Sequence, residues 1–242
     1  MKIDVIMITK NSLKPCLIES IESIIKNINL NKLIIIDAFS NDGTIDLLNK
    51  YRKYNLKIIQ KDCNRGKARE IGIKNVETDW FAFIDSDVIL EDNWLNVIEK
   101  NINFKIGAVE GNVKSKNGVI QKIRQNGRGY TNCTLIKTNL VKQISIPEEM
   151  RVYEDQFIRK YIENKGYFWL KVAFPCSLHL STSDRITDAY EIGQMSGKYH
   201  LDSFWKFLFS FFFVTLKWFT GGKEPPLISY RILSGYLKGY FS

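Results

Sequence analysis

Histidine, cysteine and proline are scarce in this chain of 242 residues: two, four and five. The cysteines, Cys16, Cys63, Cys133 and Cys176, stand far apart with no CxxC pair. That argues against a thiolate zinc site or a disulfide framework, and suits the reduced thiols of a cytoplasmic protein. Glycine is missing after the first predicted strand, where the chain reads Thr9-Lys10-Asn11-Ser12. This excludes a GxGxxG dinucleotide fingerprint and the glycine-rich loop of a sugar-nucleotide pyrophosphorylase, and Arg65-Gly66-Lys67-Ala68 does not supply a P-loop. The first ten residues, MKIDVIMITK, are too short and too broken by Asp4 for a signal peptide, and read as a strand. Internal repeats and low-complexity linkers are also lacking, the clearest break being Lys223 to Pro226.

Apolar residues make up 45% of the chain and charged residues 25%, enough for a buried core and ordinary for a folded protein. The net charge is +9. The stretch from Lys105 to Lys142 is conspicuously basic, with Glu110 its one acid, and suits phosphates, anionic lipid or nucleic acid, or else a plainly solvated face. Arg124 and Arg128 within it read either as grips for a diphosphate or phosphorylated acceptor, or as solvated cations. Nucleic acid is not expected as a partner, because the aromatics gather in an apolar tail rather than interleaving with arginine on a strand face.

Hydrophobic patterning predicts strands at Ile3–Ile8, Lys32–Ile36, Lys57–Gln60 and Trp80–Ile84, with helices at Leu13–Ile28, Thr44–Tyr54 and Gly66–Val76 between them. This alternation argues for a mostly parallel sheet with helices on both faces. Less regular strands are expected at Ile106–Val113 and Thr131–Lys137, then a helix at Glu154–Asn164 and a strand at Phe168–Phe174. In such sheets ligands bind beyond the carboxyl ends of the strands. Asp37, Asp62, Asp85 and Asp87 all fall at or just after predicted strand ends. Asp85-Ser86-Asp87 is the most pointed of these, since two carboxylates two residues apart can share one hard divalent cation with substrate phosphates.

Three segments carry a resemblance. Ile36-Asp37-Ala38-Phe39-Ser40-Asn41-Asp42-Gly43-Thr44, Asn64-Arg65-Gly66-Lys67-Ala68-Arg69-Glu70, and Phe83-Ile84-Asp85-Ser86-Asp87 resemble, in order and spacing, the signatures of family 2 glycosyltransferases. Glu154-Asp155, Gly166-Tyr167 and His179 resemble the family's acidic pair, following glycine and late histidine. The resemblance covers residues 3 to 180 and implies an α/β GT-A fold with a metal-dependent, hexosyltransferase-type activity. The donor would be a UDP- or GDP-sugar, the cofactor Mn2+ or Mg2+, and the transfer inverting. It places Thr9, Asp37, Asp62, Arg69 and Asp85 around the donor nucleotide, and Asp85, Asp87 and His179 at the metal. Asp155 becomes the general base, with Glu154 orienting or substituting for it. Position 38 departs from the family pattern, carrying alanine where a second acid is frequent.

The domain is expected to span 1–200, followed by a helical tail at 201–242. Ser203 to Phe219 as a helix gathers Lys206, Ser210 and Lys217 within about 40° of one another and leaves most of the circumference aromatic or aliphatic. At about 25 Å it is short of a bilayer core of about 30 Å. It reads as an interfacial helix, with packing in a homodimer interface or on the domain, or a true span, as the other options, and Ile228 to Phe241 follows as a second basic amphipathic segment. A saccharide or polyprenyl-phosphate-linked acceptor, and a peripheral place on the inner face of the cell membrane, are the matching expectations. A non-catalytic, membrane-associated scaffold derived from a transferase is the competing class.

Overall fold

The computed structural model describes residues 1–180, 188–220 and 226–242. Among these an eight-stranded sheet runs in the order β3-β2-β1-β4-β7-β6-β8-β5. Its first half is parallel: β1 (Ile3–Thr9) lies between β2 (Leu30–Asp37) and β4 (Trp80–Ile84), and β3 (Leu56–Gln60) pairs with β2. β7 (Cys133–Lys137) runs antiparallel to both β4 and β6 (Ile106–Ser115). The long β8 (Phe168–His179) continues parallel to β6 and pairs at its end with the two-residue β5 (Val88–Ile89).

Strand alternation sorts the apolar side chains onto two cores. Ile3, Val5 and Met7 face one core with Leu33, Ile35, Ala82 and Ile84, under α1 (Leu17–Asn27), α2 (Thr44–Asn49) and α4 (Trp94–Glu99). Ile6, Ile34, Ile36, Phe81 and Phe83 face the other, under α3 (Arg65–Lys74), α5 (Thr138–Val141) and α6 (Glu154–Glu163). The expected architecture, a largely parallel sheet covered on both sides, is therefore present. Buried parallel strands are apolar on both faces, and Asp4, wholly buried in β1, is one exception. Its carboxylate accepts from Asn31 Nδ2 at 2.8 Å and from the amides of Glu77 at 2.6 Å and Thr78 at 3.3 Å.

Several boundaries differ from the sequence expectation. α1 starts at Leu17 rather than Leu13, because the residue before Pro15 is disfavoured in the helical region and Cys16, at φ −157°, stands outside the helix as its N-cap. α2 ends at Asn49, and only a short 3-10 turn at Arg52–Tyr54 continues toward Tyr54. β8 runs five residues past Phe174 to His179. The break expected at Lys223–Pro226 lies outside the described residues except for Pro226, which caps α9 (Leu227–Tyr240).

Helices α7 (Ala189–Lys198), α8 (Phe204–Phe219) and α9 complete the chain. α7 and α9 meet backbone to backbone. A Cβ on Gly193 would lie 2.0 Å from the Ile232 carbonyl oxygen, and one on Gly197 2.2 Å from that of Tyr236. From the other side, Gly235 faces the Tyr190 carbonyl at 2.1 Å and Gly239 that of Gln194 at 2.0 Å. Partner numbers rise together in steps of four, so the helices run parallel, each presenting a Gly-x-x-x-Gly face to the other. α7 is tied to the domain by Glu149, whose carboxylate accepts from Lys198 Nζ at 2.8 Å and from the Tyr199 hydroxyl. α8 is far less covered: Phe207 is its one buried residue, while Trp205, Phe209, Phe212, Phe213, Leu216 and Phe219 are each 60% or more exposed.

Replacing glycine by alanine inside an exposed helix normally stabilises it by up to about 1 kcal/mol. Gly235→Ala is expected to do the opposite, costing about 1–3 kcal/mol, because its methyl cannot fit against the Tyr190 carbonyl. Urea denaturation of the full chain measures the sign. A neutral or stabilising result would mean that the two helices are not in contact.

Candidate active site

The carboxyl ends of β1 and β2 open into a cleft of about 430 Å³. Its floor is Ile8, Thr9 and Lys10 after β1, and Ile36 and Ala38 after β2. The N-terminus of α3 forms one wall with Cys63, Asn64, Arg65 and Ala68, and Arg151 and Val152 form another. Asp188 and Glu191, at the start of α7, close it. Asn64 caps α3 by accepting from the Lys67 amide at 3.0 Å. Lys10, Arg65 and Arg151 bring positive charge to the rim, and Arg65 reaches Asp188 at 3.6 Å.

Thr9 lies in this cleft, and Asp37 lies beneath it, wholly buried. Both Asp37 oxygens are engaged: Oδ1 accepts from the hydroxyls of Thr9 at 2.8 Å and Ser40 at 2.5 Å, and Oδ2 from the Ser40 amide at 2.9 Å and Gln60 Nε2 at 3.2 Å. Burial by itself would raise this carboxyl, but the hydrogen bonds from Ser40, Thr9 and Gln60 outweigh it and hold it below the usual carboxylate range. Phe39, at φ +54°, makes the turn that lets Ser40 fold back onto Asp37. Asp62 is exposed on the loop before α3.

The next turn of α3 carries Arg69 into the protein, where it is 4% exposed. Its Nη2 donates to Asp85 Oδ1 and its Nε to Glu154 Oε1, both at 3.2 Å, and its guanidinium lies 4.9 Å from the centre of the Phe83 ring. Burial opposes that charge, but Asp85, Glu154 and Asp155 more than compensate and raise the arginine's proton affinity. One side chain thus joins two carboxylates far apart in the sequence. Asp87 is brought to His179 by the β5–β8 pairing: Val88 stands opposite His179, and His179 Nε2 comes within 3.4 Å of Asp87 Oδ2.

Glu154 and Asp155 open α6 from a strained turn, since Tyr153 before them has φ +68°, a region bulky residues rarely enter. Tyr153 is held there by its hydroxyl, which donates to Asp202 Oδ2 at 2.6 Å just ahead of α8. The Asp155 side chain, 8% exposed, meets Arg128: Nε lies 3.1 Å from both carboxylate oxygens and Nη2 3.0 Å from Oδ2. Burial pushes the Asp155 carboxyl up, against the pull of Arg128. Arg128, which the sequence left as a solvated cation or a phosphate grip, is half-buried and paired with a buried acid. Arg151, Asp188, Glu191 and Asp202 were not singled out by sequence reasoning. Nothing local marks them, because they reach the site through tertiary contact.

The sequence profile described as Glycosyl transferase family 2 matches residues 4–165, more than half of the chain. Poly(ribitol-phosphate) beta-N-acetylglucosaminyltransferase TarS of Staphylococcus aureus is 37% identical over 60 residues, a stretch that covers 23% of this chain and spans only 10% of TarS. The crystal structure of S. aureus TarS 1-349 in complex with UDP-GlcNAc superposes with a TM-score of 0.64 at 20% identity, over 100% of this chain and 73% of that one. A mannosyltransferase from Pyrobaculum calidifontis, PcManGT in complex with GDP-Man and Mn2+, superposes with a TM-score of 0.62 at 14% identity, over 99% and 74%. The GT-A arrangement is thus common to all three.

Removing one member of a buried ion pair strands the other charge and typically costs about 3–5 kcal/mol. Arg69→Met is expected to fall in that range, since it strands Glu154 and frees Asp85. Chemical denaturation measures it. A loss of well under 1 kcal/mol would show that the Arg69 contacts do not hold the site together.

Proposed function

The chain belongs to glycosyl transferase family 2, and from that premise we propose that it moves a sugar from a nucleotide-diphosphate donor to an acceptor presented at a membrane surface, in the synthesis of a surface polysaccharide. The observation that carries this reading is a nucleotide-sized cleft at the strand ends, bordered by Ala68 of α3, whose next residue Arg69 pairs with Asp85 and Glu154. Clefts of a few hundred Å³ at such a sheet edge suit a nucleotide. Lys10, Arg65 and Arg151 would meet the diphosphate, while Thr9 and the Asp37–Ser40 turn would shape the base and ribose pocket. Asp62 would flank the nucleotide from the loop before α3. Ala38 leaves the floor of that pocket apolar, so UDP- and GDP-sugars both remain open as donors.

Asp85 and Asp87, with His179 beside them, have the composition of an Mn2+ or Mg2+ site. Such ions take one or two carboxylates and leave the remaining positions to substrate phosphates. Among the described residues no group of three or more His, Cys, Asp or Glu side chains is placed to hold a metal ion by itself. Bound there, the ion would neutralise charge on the departing nucleoside diphosphate. The chain's own residues do the rest. Arg69 orients Asp85 and Glu154, and Asp155 takes the proton from the acceptor hydroxyl as that oxygen attacks the anomeric carbon opposite the leaving group. Such an attack inverts the configuration.

The exposed aromatic face of α8 supports the membrane side of the reading. An apolar patch of this size marks an interaction surface. Lys206 and Lys217 lie near its ends, Arg231 and Lys238 stand on α9, and from Ser203 to Ser242 the chain carries five Lys or Arg against one acid, Glu224, so the charge favours an anionic lipid surface. No helix among the described residues is long and apolar enough to cross a membrane. An interfacial helix on the inner leaflet is the matching placement.

Two experiments test this. Thermal unfolding with UDP, GDP, CDP and dTDP, each with and without Mn2+, is expected to show a metal-dependent shift with one nucleotide. The stabilisation would be about 2.7 kcal/mol at a hundredfold excess over Kd, lost in Asp87→Ala. No shift with any of the four, or a shift unaltered in Asp87→Ala, refutes the assignment of the site. In flotation with vesicles containing phosphatidylserine, the chain is expected to rise with the lipid, and Phe212→Ser with Phe213→Ser to reduce that by tenfold or more. Unaltered flotation removes α8 as the lipid contact.

A further inference from the structure

Arg128 sits on irregular backbone between β6 and β7, yet its place is fixed from several sides. Arg159 donates from Nη2 to the Gln125 carbonyl at 2.7 Å and from Nη1 to that of Gly127 at 2.5 Å. The Lys171 ammonium donates to the carbonyl of Arg128 itself, and the Gly129 amide donates to Gln156 Oε1 at 2.9 Å. Arg159, Lys171 and Gln156 are 6%, 7% and 3% exposed. Burying such groups is costly unless they are bonded, and here three of them are committed to one short stretch of main chain. What that stretch delivers is the guanidinium of Arg128, aimed at Asp155 and 4.6 Å from the centre of the Tyr153 ring.

We propose that Arg128 is a positioning residue for the transfer, which keeps Asp155 as the bare carboxylate, turned toward the acceptor, until the acceptor hydroxyl arrives. The proposal rests on Asp155 being the base. Asp155 is buried on a helix beside Glu154, whose negative charge favours a proton on it. Glu110, across on β6, repels it likewise. Arg69 from α3 and Lys171 from β8 pull the other way, but Arg69 is bonded to Asp85 and Glu154, and Lys171 faces Glu110 at 3.5 Å. Arg128 is the cation in direct contact with Asp155. Both carboxylate oxygens face it, and Oδ1 also accepts from the Gln156 amide at 2.7 Å. Arginine suits the task because it stays charged at every physiological pH and matches a carboxylate with two donors.

The sign follows. Removing Arg128 leaves burial and Glu154 unopposed by a contacting cation, so Asp155 would bind its proton more tightly and serve as a base only at higher pH. The test uses the full chain labelled with [13C]aspartate, the Asp155 carboxyl resonance being assigned by its loss in Asp155→Asn. In Arg128→Gln the titration midpoint of Asp155 is expected to rise by about one pH unit or more, a tenfold change in proton affinity, and Arg128→Lys to recover part of it. Release of UDP from UDP-GlcNAc, or of GDP from GDP-mannose, with Mn2+ would show the acid limb of kcat/KM moving with that midpoint. If neither donor is turned over, the carboxyl titration decides alone. A midpoint unmoved in folded Arg128→Gln overturns the proposal. A midpoint that moves while Asp155→Asn turns over donor like the wild type also overturns it, and shows that the base assignment, not the coupling of the pair, was at fault.

Discussion

The guanidinium of Arg69 is the constraint on which the rest of the site depends. It is buried, charged and bonded to two carboxylates. Asp85 ends a strand of the parallel half and Glu154 begins α6, on the far side of the antiparallel strands. A buried cation must be matched or the fold loses several kcal/mol, so this one contact ties the end of β4 to the start of α6. The cleft beside α3 and the acids of α6 are then parts of one object, since Ala68 borders the cleft while Arg69 turns inward to the acids.

Around that contact the protein spends irregular backbone rather than regular strand. The turn at Tyr153 is held in a sparsely populated conformation by Asp202, and the segment at 125–129 is held by Arg159, Lys171 and Gln156. Strained or irregular backbone persists where surrounding contacts over-determine it, and here those contacts come from buried, paired groups. Asp202 stands immediately before α8 and touches the residue that launches Glu154 and Asp155. The tail is therefore joined to the acids at one end and to the rim of the cleft, through α7, at the other.

The parallel half of the fold was legible in the sequence because its signals are local. Alternating apolar strands, the Asp37–Thr44 turn and the Asp-Ser-Asp at a strand end can each be read within ten residues. The second half was less so. β5 has two residues and exists only because the end of β8 lies beside it. α7 carries two glycines within ten residues, which propensity counts against a helix, and only their fit against α9 reverses that judgement. The same holds for the charges. Asp85, Glu154 and Asp155 were readable as acids at strand and helix ends, but their pairing with Arg69 and Arg128 depends on which segments meet across the sheet. Arg128, read from sequence as a phosphate grip or a solvated cation, is half-buried and paired with an acid, its backbone held by three side chains remote from it along the chain.

The seam between α7 and α9 has a mechanical meaning. Contacts between side chains can slide or repack by changing rotamer, but a seam of glycine against carbonyl has no rotamers to change. Its register can move only by a whole helical turn, about 5.4 Å. α9 is thereby fixed in height relative to Asp188 and Glu191 at the mouth of the cleft. A shift of α9 against α7 would thus be a jump of one full turn rather than a gradual slide, and the seam acts as a ratchet with a single tooth engaged.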